Sequence, residues 1–132
     1  MNKWVIGARV KTLPAAVSPV LIGTFYASEV NWINALLALI VSLSLQIAVN
    51  YANDYSDGIR GTDTDRVGPI RLVASGLASA KSVKRASYIS FLFAVVAGSL
   101  LSLNISLWLL PVGGISILAA WGYTGGKQPY GY

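Results

Sequence analysis

Four apolar segments separated by polar connections run along the chain, and each is a candidate membrane-spanning helix. A helix needs roughly 20 residues to cross about 30 Å of hydrocarbon. The first segment is shorter than that unless residues 5–10 contribute to it. The pattern predicts an all-α, polytopic transmembrane bundle with four helices in this chain. The predicted spans are about 13–27, 32–53, 86–103 and 105–123.

The charge distribution gives these helices an orientation. All 10 Lys and Arg residues lie before the first segment, in the connection 54–85 or after the last segment, which is one side of the arrangement. Basic residues in short connections mark the cytoplasmic side of a membrane. We therefore expect a multi-pass protein of the cell (inner) membrane with its N-terminus and the 54–85 loop in the cytoplasm. The net charge of +5 follows this topology and predicts no nucleic-acid partner.

Composition narrows the chemistry. Only 11% of the residues are charged, whereas soluble domains carry about 25%, so the lipid bilayer is the expected surroundings. The chain has no Cys and no His, which excludes disulfides, thiolate nucleophiles and metal sites built from those residues. Any reaction must therefore use carboxylates, amides, hydroxyls and basic side chains.

A stripe of amides and carboxylates ends the second apolar segment. Its spacing of i, i+4, i+7, i+8 and i+11 places the members on one face of a single helix. Hard oxygen ligands of this kind suit Mg²⁺, which one or two carboxylates typically share with a substrate phosphate. The alternative is that the stripe forms hydrogen bonds between helices. The members are Gln46, Asn50, Asn53, Asp54 and Asp57.

The connection after the stripe mixes arginines with acidic residues and turn formers. Its arginines have planar guanidinium groups that can clamp phosphate oxygens, or they anchor helices at the membrane boundary. They are Arg60, Arg66 and Arg71. Segment 63–68 half resembles a calcium-binding loop but lacks the acidic residues such a loop needs further along. The basic residues before the third segment are interpreted as boundary anchors. They are Lys81, Lys84 and Arg85.

The fourth segment ends in the sequence WGYTGGK at residues 121–127. Trp121 and Tyr123 taken alone are ordinary aromatic residues of a membrane interface. Lys127 follows two glycines, which let the backbone approach an anionic substrate closely. The spacing is wrong for a phosphate-binding P-loop. Because the chain stops at KQPYGY without a cap or polar tail, we expect further helices beyond it.

Three separated blocks resemble one enzyme family. The sequence NYANDYSD at residues 50–57 resembles the first aspartate-rich motif of the intramembrane aromatic prenyltransferases, the UbiA-like enzymes of quinone biosynthesis. KTLP at 11–14, the 57–71 loop and YTGGKQPYGY at 123–132 are similar to the 1,4-dihydroxy-2-naphthoate branch of menaquinone biosynthesis. The blocks occur in order and cover nearly the whole chain. On this resemblance, residues 1–132 are the N-terminal part of a single transmembrane domain of about nine helices.

The resemblance also implies a reaction. A polyprenyl diphosphate loses diphosphate with the help of Mg²⁺, and the ring of 1,4-dihydroxy-2-naphthoate attacks the allylic cation. Carbon dioxide is then lost, which gives demethylmenaquinone. Asp54 and Asp57 are the implied catalytic residues. The implied metal ligands are Asn53, Asp54, Asp57 and Asp63.

Substrate contacts follow from the same resemblance. Most of the implied residues lie near the diphosphate, and Arg71, with Arg9 or Lys11 as further candidates, is implied for the carboxylate of the aromatic acid. The implied substrate-binding residues are Asn50, Arg60, Arg66, Arg71, Tyr123 and Lys127.

The chain also departs from the family pattern. Gly61 occupies the position where the family often has a third Asp, so Asp63 or Asp65 is expected to replace it. The family's second aspartate-rich motif is absent, and the chain alone is expected to be inactive. Two other functions stay open. One is prenylation of another acceptor such as 4-hydroxybenzoate. The other is a membrane transporter with a polar helix stripe, an idea that the prolines at 14 and 19 keep open.

Overall fold

The computed structural model describes residues 2–62, 68–126 and 128–131. Across these ranges the regular structure is entirely helical. The helices are α1 Lys3–Ala8, α2 Pro14–Tyr26, α3 Trp32–Arg60, α4 Ala80–Ile105 and α5 Leu109–Thr124, with a 3₁₀ turn at Val10–Thr12 between α1 and α2. The predicted all-α class is therefore confirmed.

The first apolar segment is a bent pair of helices. Arg9 takes the left-handed conformation, with φ of 52°, and its backbone N–H donates to the carbonyl of Ile6 at 3.1 Å, which ends α1. Pro14 starts α2 at a first-turn position, where its fixed φ fits and no N–H is needed. The two pieces meet at an angle of 51°. Residues before 13 thus extend this segment, because α2 alone has only 13 residues.

The longest helix, α3, carries the whole polar stripe. The Asn31 side chain accepts from the N–H of Asn34 at 3.0 Å and caps its start. Gly61, with φ of 69°, ends it in the left-handed conformation that glycine adopts without steric cost. The helix therefore runs seven residues beyond the predicted span 32–53. Gln46 to Asp57 lie on one continuous helix, as their spacing predicts.

Helix α4 packs antiparallel to α3. Near one end of the pair, Ser87 Oγ donates to the carbonyl of Ala48 at 2.9 Å. Near the other end, Asn104 Nδ2 donates to Asn34 Oδ1 at 3.2 Å. This arrangement brings residues 54–62, 68–85 and the end of α5 to the same end of the bundle, which we call the polar end. The best-buried apolar cluster lies here too, and it contains Tyr51, Leu72, Ala78 and Val83.

The helices support a multi-pass membrane protein. Both α3 and α4 are long and apolar enough to cross a bilayer, and the bent α1–α2 pair makes a third candidate span. Large apolar side chains are exposed on the outer helices, for example Ile22 and Leu118, which suits contact with hydrocarbon. Helix α5 has 16 residues and is shorter than a simple span. The four-span count and the nine-helix fold therefore stay predictions.

Candidate active site

Asp54 joins α3 to the connection that leads to α4. Its carboxylate accepts the backbone N–H of Leu72 at 2.8 Å and that of Val73 at 3.0 Å. The residue is 1% exposed. A buried carboxylate that accepts two amides holds its partners strongly, because hydrogen bonds to a charged group are stronger than those between neutral groups. Asp54 thereby fixes the position of the connection against α3.

Asp57 lies at the same end and pairs with an arginine from this connection. Arg71 donates from one guanidinium nitrogen to Asp57 Oδ2 at 2.9 Å. The side chains are 8% exposed for Arg71 and 14% for Asp57. Because Leu72 directly follows Arg71, the bonds to Asp54 also hold the backbone that presents this guanidinium. The structure thus brings two of the predicted site residues together and uses a third to position them.

The upper part of the stripe contacts the first segment. Asn50 Nδ2 donates to the carbonyl of Ala8 at 2.9 Å and to Thr12 Oγ1 at 3.0 Å. Gln46 donates to the same hydroxyl at 3.4 Å. These are the hydrogen bonds between segments that the sequence left as an alternative. The predicted substrate contact of Asn50 stays a prediction.

Two other predicted residues connect α3 to the end of α5. Thr124 Oγ1 donates to Asn53 Oδ1 at 2.7 Å. The guanidinium of Arg60 donates to the carbonyls of Thr124 and Gly126 at 2.9 and 3.0 Å. Arg60 is therefore oriented by backbone oxygens beside Asn53. Its positive charge stays at the polar end, close to the amide that the sequence predicts as a metal ligand.

The remaining predicted site residues divide into two groups. Tyr123 is 48% exposed and packs edge-on against Tyr130, with ring centroids 5.4 Å apart. Its predicted diphosphate contact stays a prediction. Asp63, Arg66 and Lys127 lie outside the described residues.

The described residues fit part of a magnesium site. Asn53 and Asp57 are one helical turn apart on α3, so their side chains lie on neighbouring positions of one face. One carboxylate and one amide are donors that Mg²⁺ accepts when substrate phosphates complete its shell. Asp54 fits less well, because both of its oxygens accept backbone amides in a buried position. No group of three or more acidic residues that could hold a metal occurs among residues 2–62, 68–126 and 128–131.

One cluster at the polar end was missed by the sequence reasoning. The ammonium of Lys84 lies 5.3 to 5.9 Å from the ring centroids of three aromatic residues. They are Tyr55, Tyr88 and Trp121, from α3, α4 and α5. The i, i+4 spacing of Lys84 and Tyr88 on α4 was a usable signal. The other two rings meet Lys84 only through the packing of three helices, which no local pattern reveals.

Apolar helices with carboxylates, amides and arginines gathered at one end define a helical membrane protein with a polar site. The model of the UbiA prenyltransferase family matches residues 16–131. The chain therefore belongs to the UbiA prenyltransferase family.

Curated relatives are more specific than the family match, because they share one name. Three proteins named 1,4-dihydroxy-2-naphthoate octaprenyltransferase are similar to this chain. That of Mycobacterium tuberculosis is 55% identical over 98% of the chain and 46% of its own length. The Escherichia coli protein is 38% identical over 98% of the chain and 45% of its own length. The Bacillus subtilis protein is 32% identical over 94% of the chain and 41% of its own length. The chain thus spans slightly less than half of these relatives. No solved structure matches it significantly.

Proposed function

We propose that the intact protein transfers a polyprenyl group from its diphosphate to 1,4-dihydroxy-2-naphthoate, with loss of carbon dioxide, to give demethylmenaquinone. The observation that carries the proposal is the grouping of Asn53, Asp57 and two arginines at one end of α3. Membership of the prenyltransferase family supports the reaction class. The names of relatives up to 55% identical support the acceptor and the polyprenyl donor.

Arg60 is proposed to supply positive charge for the diphosphate, and Arg71 to contact the carboxylate of the aromatic acid. Arg60 is held by the carbonyls of Thr124 and Gly126, and Arg71 is held beside Asp57, so both cations keep fixed positions. Preoriented cations stabilise negative charge on a leaving group without reorganising during the reaction. Arg66 and Lys127 are proposed to add to this set, with Tyr123 and Asn50 as further substrate contacts.

Asp57, with Asn53 one turn before it, is proposed to hold Mg²⁺, and Asp63 to complete the set. The metal would neutralise charge that develops on the departing diphosphate. Asp54 is proposed to act mainly by positioning. Its bonds to the amides of Leu72 and Val73 fix the backbone next to Arg71, and Arg71 in turn contacts Asp57.

The proposed location is the cell (inner) membrane, with the polar end on the cytoplasmic side. The described basic residues support this orientation, because they lie on elements that meet at the polar end. For example, the ammonium of Lys3 donates to the carbonyl of Leu77 at 3.3 Å, which joins the N-terminus to the 68–79 connection. Cytoplasmic connections are the ones enriched in Lys and Arg.

Substitution of Asp57 by Asn tests the proposed reaction. In the intact, membrane-reconstituted protein we expect Asp57→Asn to lower the prenylation rate by about 100-fold at saturating Mg²⁺, because a charged metal ligand becomes neutral. Glu29→Gln is the matched control, since Glu29 is exposed at the opposite end of the bundle. An unchanged rate for Asp57→Asn contradicts the metal-ligand role. Faster turnover of 4-hydroxybenzoate than of the naphthoate in the wild type contradicts the proposed acceptor.

A further inference from the structure

Three helices surround the Lys84 ammonium with aromatic rings. Its Nζ lies 5.3 Å from the ring centroid of Tyr55, 5.6 Å from that of Tyr88 and 5.9 Å from that of Trp121. All three distances fall within the range of about 6 Å for attraction between a cation and a ring face. Lys84 is therefore held in place by α3, α4 and α5, unlike Lys81, which is exposed three residues earlier on α4.

The cluster forms one wall of a cavity of about 390 Å³, which we call the Lys84 pocket. Ser56, Arg60 and Gly126 complete much of its lining. Its volume falls in the range of about 300–1,000 Å³ that is typical of small-molecule sites. The pocket adjoins the predicted metal side of α3 through Arg60, which contacts Thr124, the partner of Asn53.

Ser56 gives the pocket an unused hydrogen-bonding group. The residue is 0% exposed, and its Oγ has no hydrogen-bond partner within the described ranges 2–62, 68–126 and 128–131. A buried hydroxyl without a partner is uncommon, because the lost hydration is not replaced. Ser56 lines the pocket, and a rotation of its side chain toward the cavity would bring the hydroxyl to a ligand oxygen.

The lining selects the chemistry of that ligand. The described lining residues include two cations, Lys84 and Arg60, and no carboxylate. The rings of Tyr55 and Trp121 are stacked within 15° of parallel, with centroids 6.4 Å apart, so the lining contains aromatic surface beside the two cations. Aromatic faces of this kind favour offset stacking with another ring. A flat ring that carries an anionic group matches this lining better than a diphosphate, which has no ring to stack.

We propose that the Lys84 pocket binds the aromatic acid acceptor, with Lys84 contacting its carboxylate and Ser56 donating to an oxygen on its ring system. This inference rests on the proposed function for the identity of the acceptor. It moves the carboxylate contact from Arg71, which is 8% exposed and paired with Asp57, to Lys84. Arg60 then stands between the acceptor and the diphosphate.

Steady-state kinetics of the intact, membrane-reconstituted protein test the assignment. We expect Lys84→Gln to raise the KM for the aromatic acid by about tenfold, the loss expected for one charge-assisted contact. The KM for prenyl diphosphate is expected to stay within about twofold, and Lys84→Arg to recover much of the loss because it keeps the charge. Lys81→Gln is the matched control and changes neither KM. An unchanged acceptor KM in Lys84→Gln, or a rise confined to prenyl diphosphate, overturns the proposal.

Direct binding separates this proposal from the proposed function. The probe is 2-naphthoate, a flat acid without ring hydroxyls, followed by equilibrium dialysis in the absence of prenyl diphosphate. We expect saturable binding to the wild type and about tenfold weaker binding to Lys84→Gln. The neutral analogue 2-naphthalenemethanol is expected not to compete. Absence of naphthoate binding overturns the pocket even if prenylation proceeds, whereas Lys84-dependent binding without any prenylation supports the pocket and contradicts the transferase.

The hydroxyl of Ser56 is tested with the natural acceptor chemistry. Ser56→Ala is expected to weaken binding of 1,4-dihydroxy-2-naphthoate several-fold and to leave binding of 2-naphthoate nearly unchanged, because the probe lacks the ring oxygens. Equal binding of both acids to Ser56→Ala and wild type contradicts the Ser56 contact.

Discussion

At the C-terminal end of α3, the buried polar groups on two sides of the helix differ in whether they have hydrogen-bond partners. On one side, Asp54 is buried and both of its oxygens accept backbone amides from the connection to α4. On the other side, Ser56 is equally buried and lines a cavity, but its hydroxyl has no partner within the described residues. Because an unsatisfied buried group costs stability, the difference distinguishes a part of the site that holds the fold from the part that we propose binds a ligand.

The same contrast extends to the cations. Arg71 is paired with Asp57 on the closed side, whereas Lys84 on the open side meets ring faces and the pocket. The closed side thus keeps its charge neutralised inside the fold. The open side keeps positive charge available for an anion.

The largest expected effect comes from removing the carboxylate on the closed side. Asp54→Ala leaves the N–H groups of Leu72 and Val73 without their acceptor in a buried place. We expect the free energy of unfolding to fall by about 3 kcal/mol, the scale of hydrogen bonds to a charged group. Reversible unfolding in detergent micelles, followed by tryptophan fluorescence, measures it. Glu29→Ala serves as control, and a loss as small as that of the control would erase the contrast.

A smaller loss is expected where α3 touches the connection closely. A Cβ added to Gly58 would collide with the side chain of Val73, whereas a Cβ on Gly23 in α2 meets nothing within 4 Å. Gly58→Ala is expected to cost about 1–3 kcal/mol through overpacking, and Gly23→Ala to gain up to about 1 kcal/mol in helix propensity. The same unfolding assay compares them.

Val73→Ala provides the second arm of this experiment. In the double variant Gly58→Ala, Val73→Ala the collision with the Val73 Cγ atoms is removed and only that with its Cβ remains, so the two substitutions should cost less together than the sum of each alone. Additive costs would show that the approach of the connection to α3 is looser than the structure has it.

The smallest effect is expected on the open side. Ser56→Ala removes a hydroxyl with no partner within the described residues, so stability should change by no more than about 0.5 kcal/mol. Unfolding of this variant is measured beside Asp54→Ala under identical conditions. A loss above about 1 kcal/mol would reveal a structural bond for Ser56 and break the distinction between the two sides.

Sequence periodicity captured the helix but not the partners of its side chains. The continuous α3 and the helical placement of Gln46 to Asp57 follow from spacing, and the structure confirms them. The side chains of successive residues, however, point about 100° apart around the helix axis. Asn53 and Asp54 therefore contact different neighbouring segments. Asn53 contacts Thr124, whereas Asp54 contacts the connection. The single predicted face is in fact divided among three neighbouring segments.

The partners of these side chains could not be predicted from the sequence, for a physical reason. Asp54 binds backbone amides, and a backbone amide gives no residue-type signal in the sequence. Thr12 and Thr124 are common residues whose roles depend on long-range packing. Lys84 fits the pattern of a boundary anchor when read alone, and only the meeting of three helices shows the rings around it.

The break in the first apolar segment has a consequence for assembly. Ala8 is the last residue before Arg9 interrupts the helix, and its carbonyl accepts a hydrogen bond from Asn50 of the next segment. A break in a helix leaves backbone carbonyls without their helical partners, and side chains of neighbouring segments can satisfy them. The bend therefore belongs to the pair of segments rather than to the first alone. The bent first segment and α3 thus form one hydrogen-bonded unit, held in part by this amide contact.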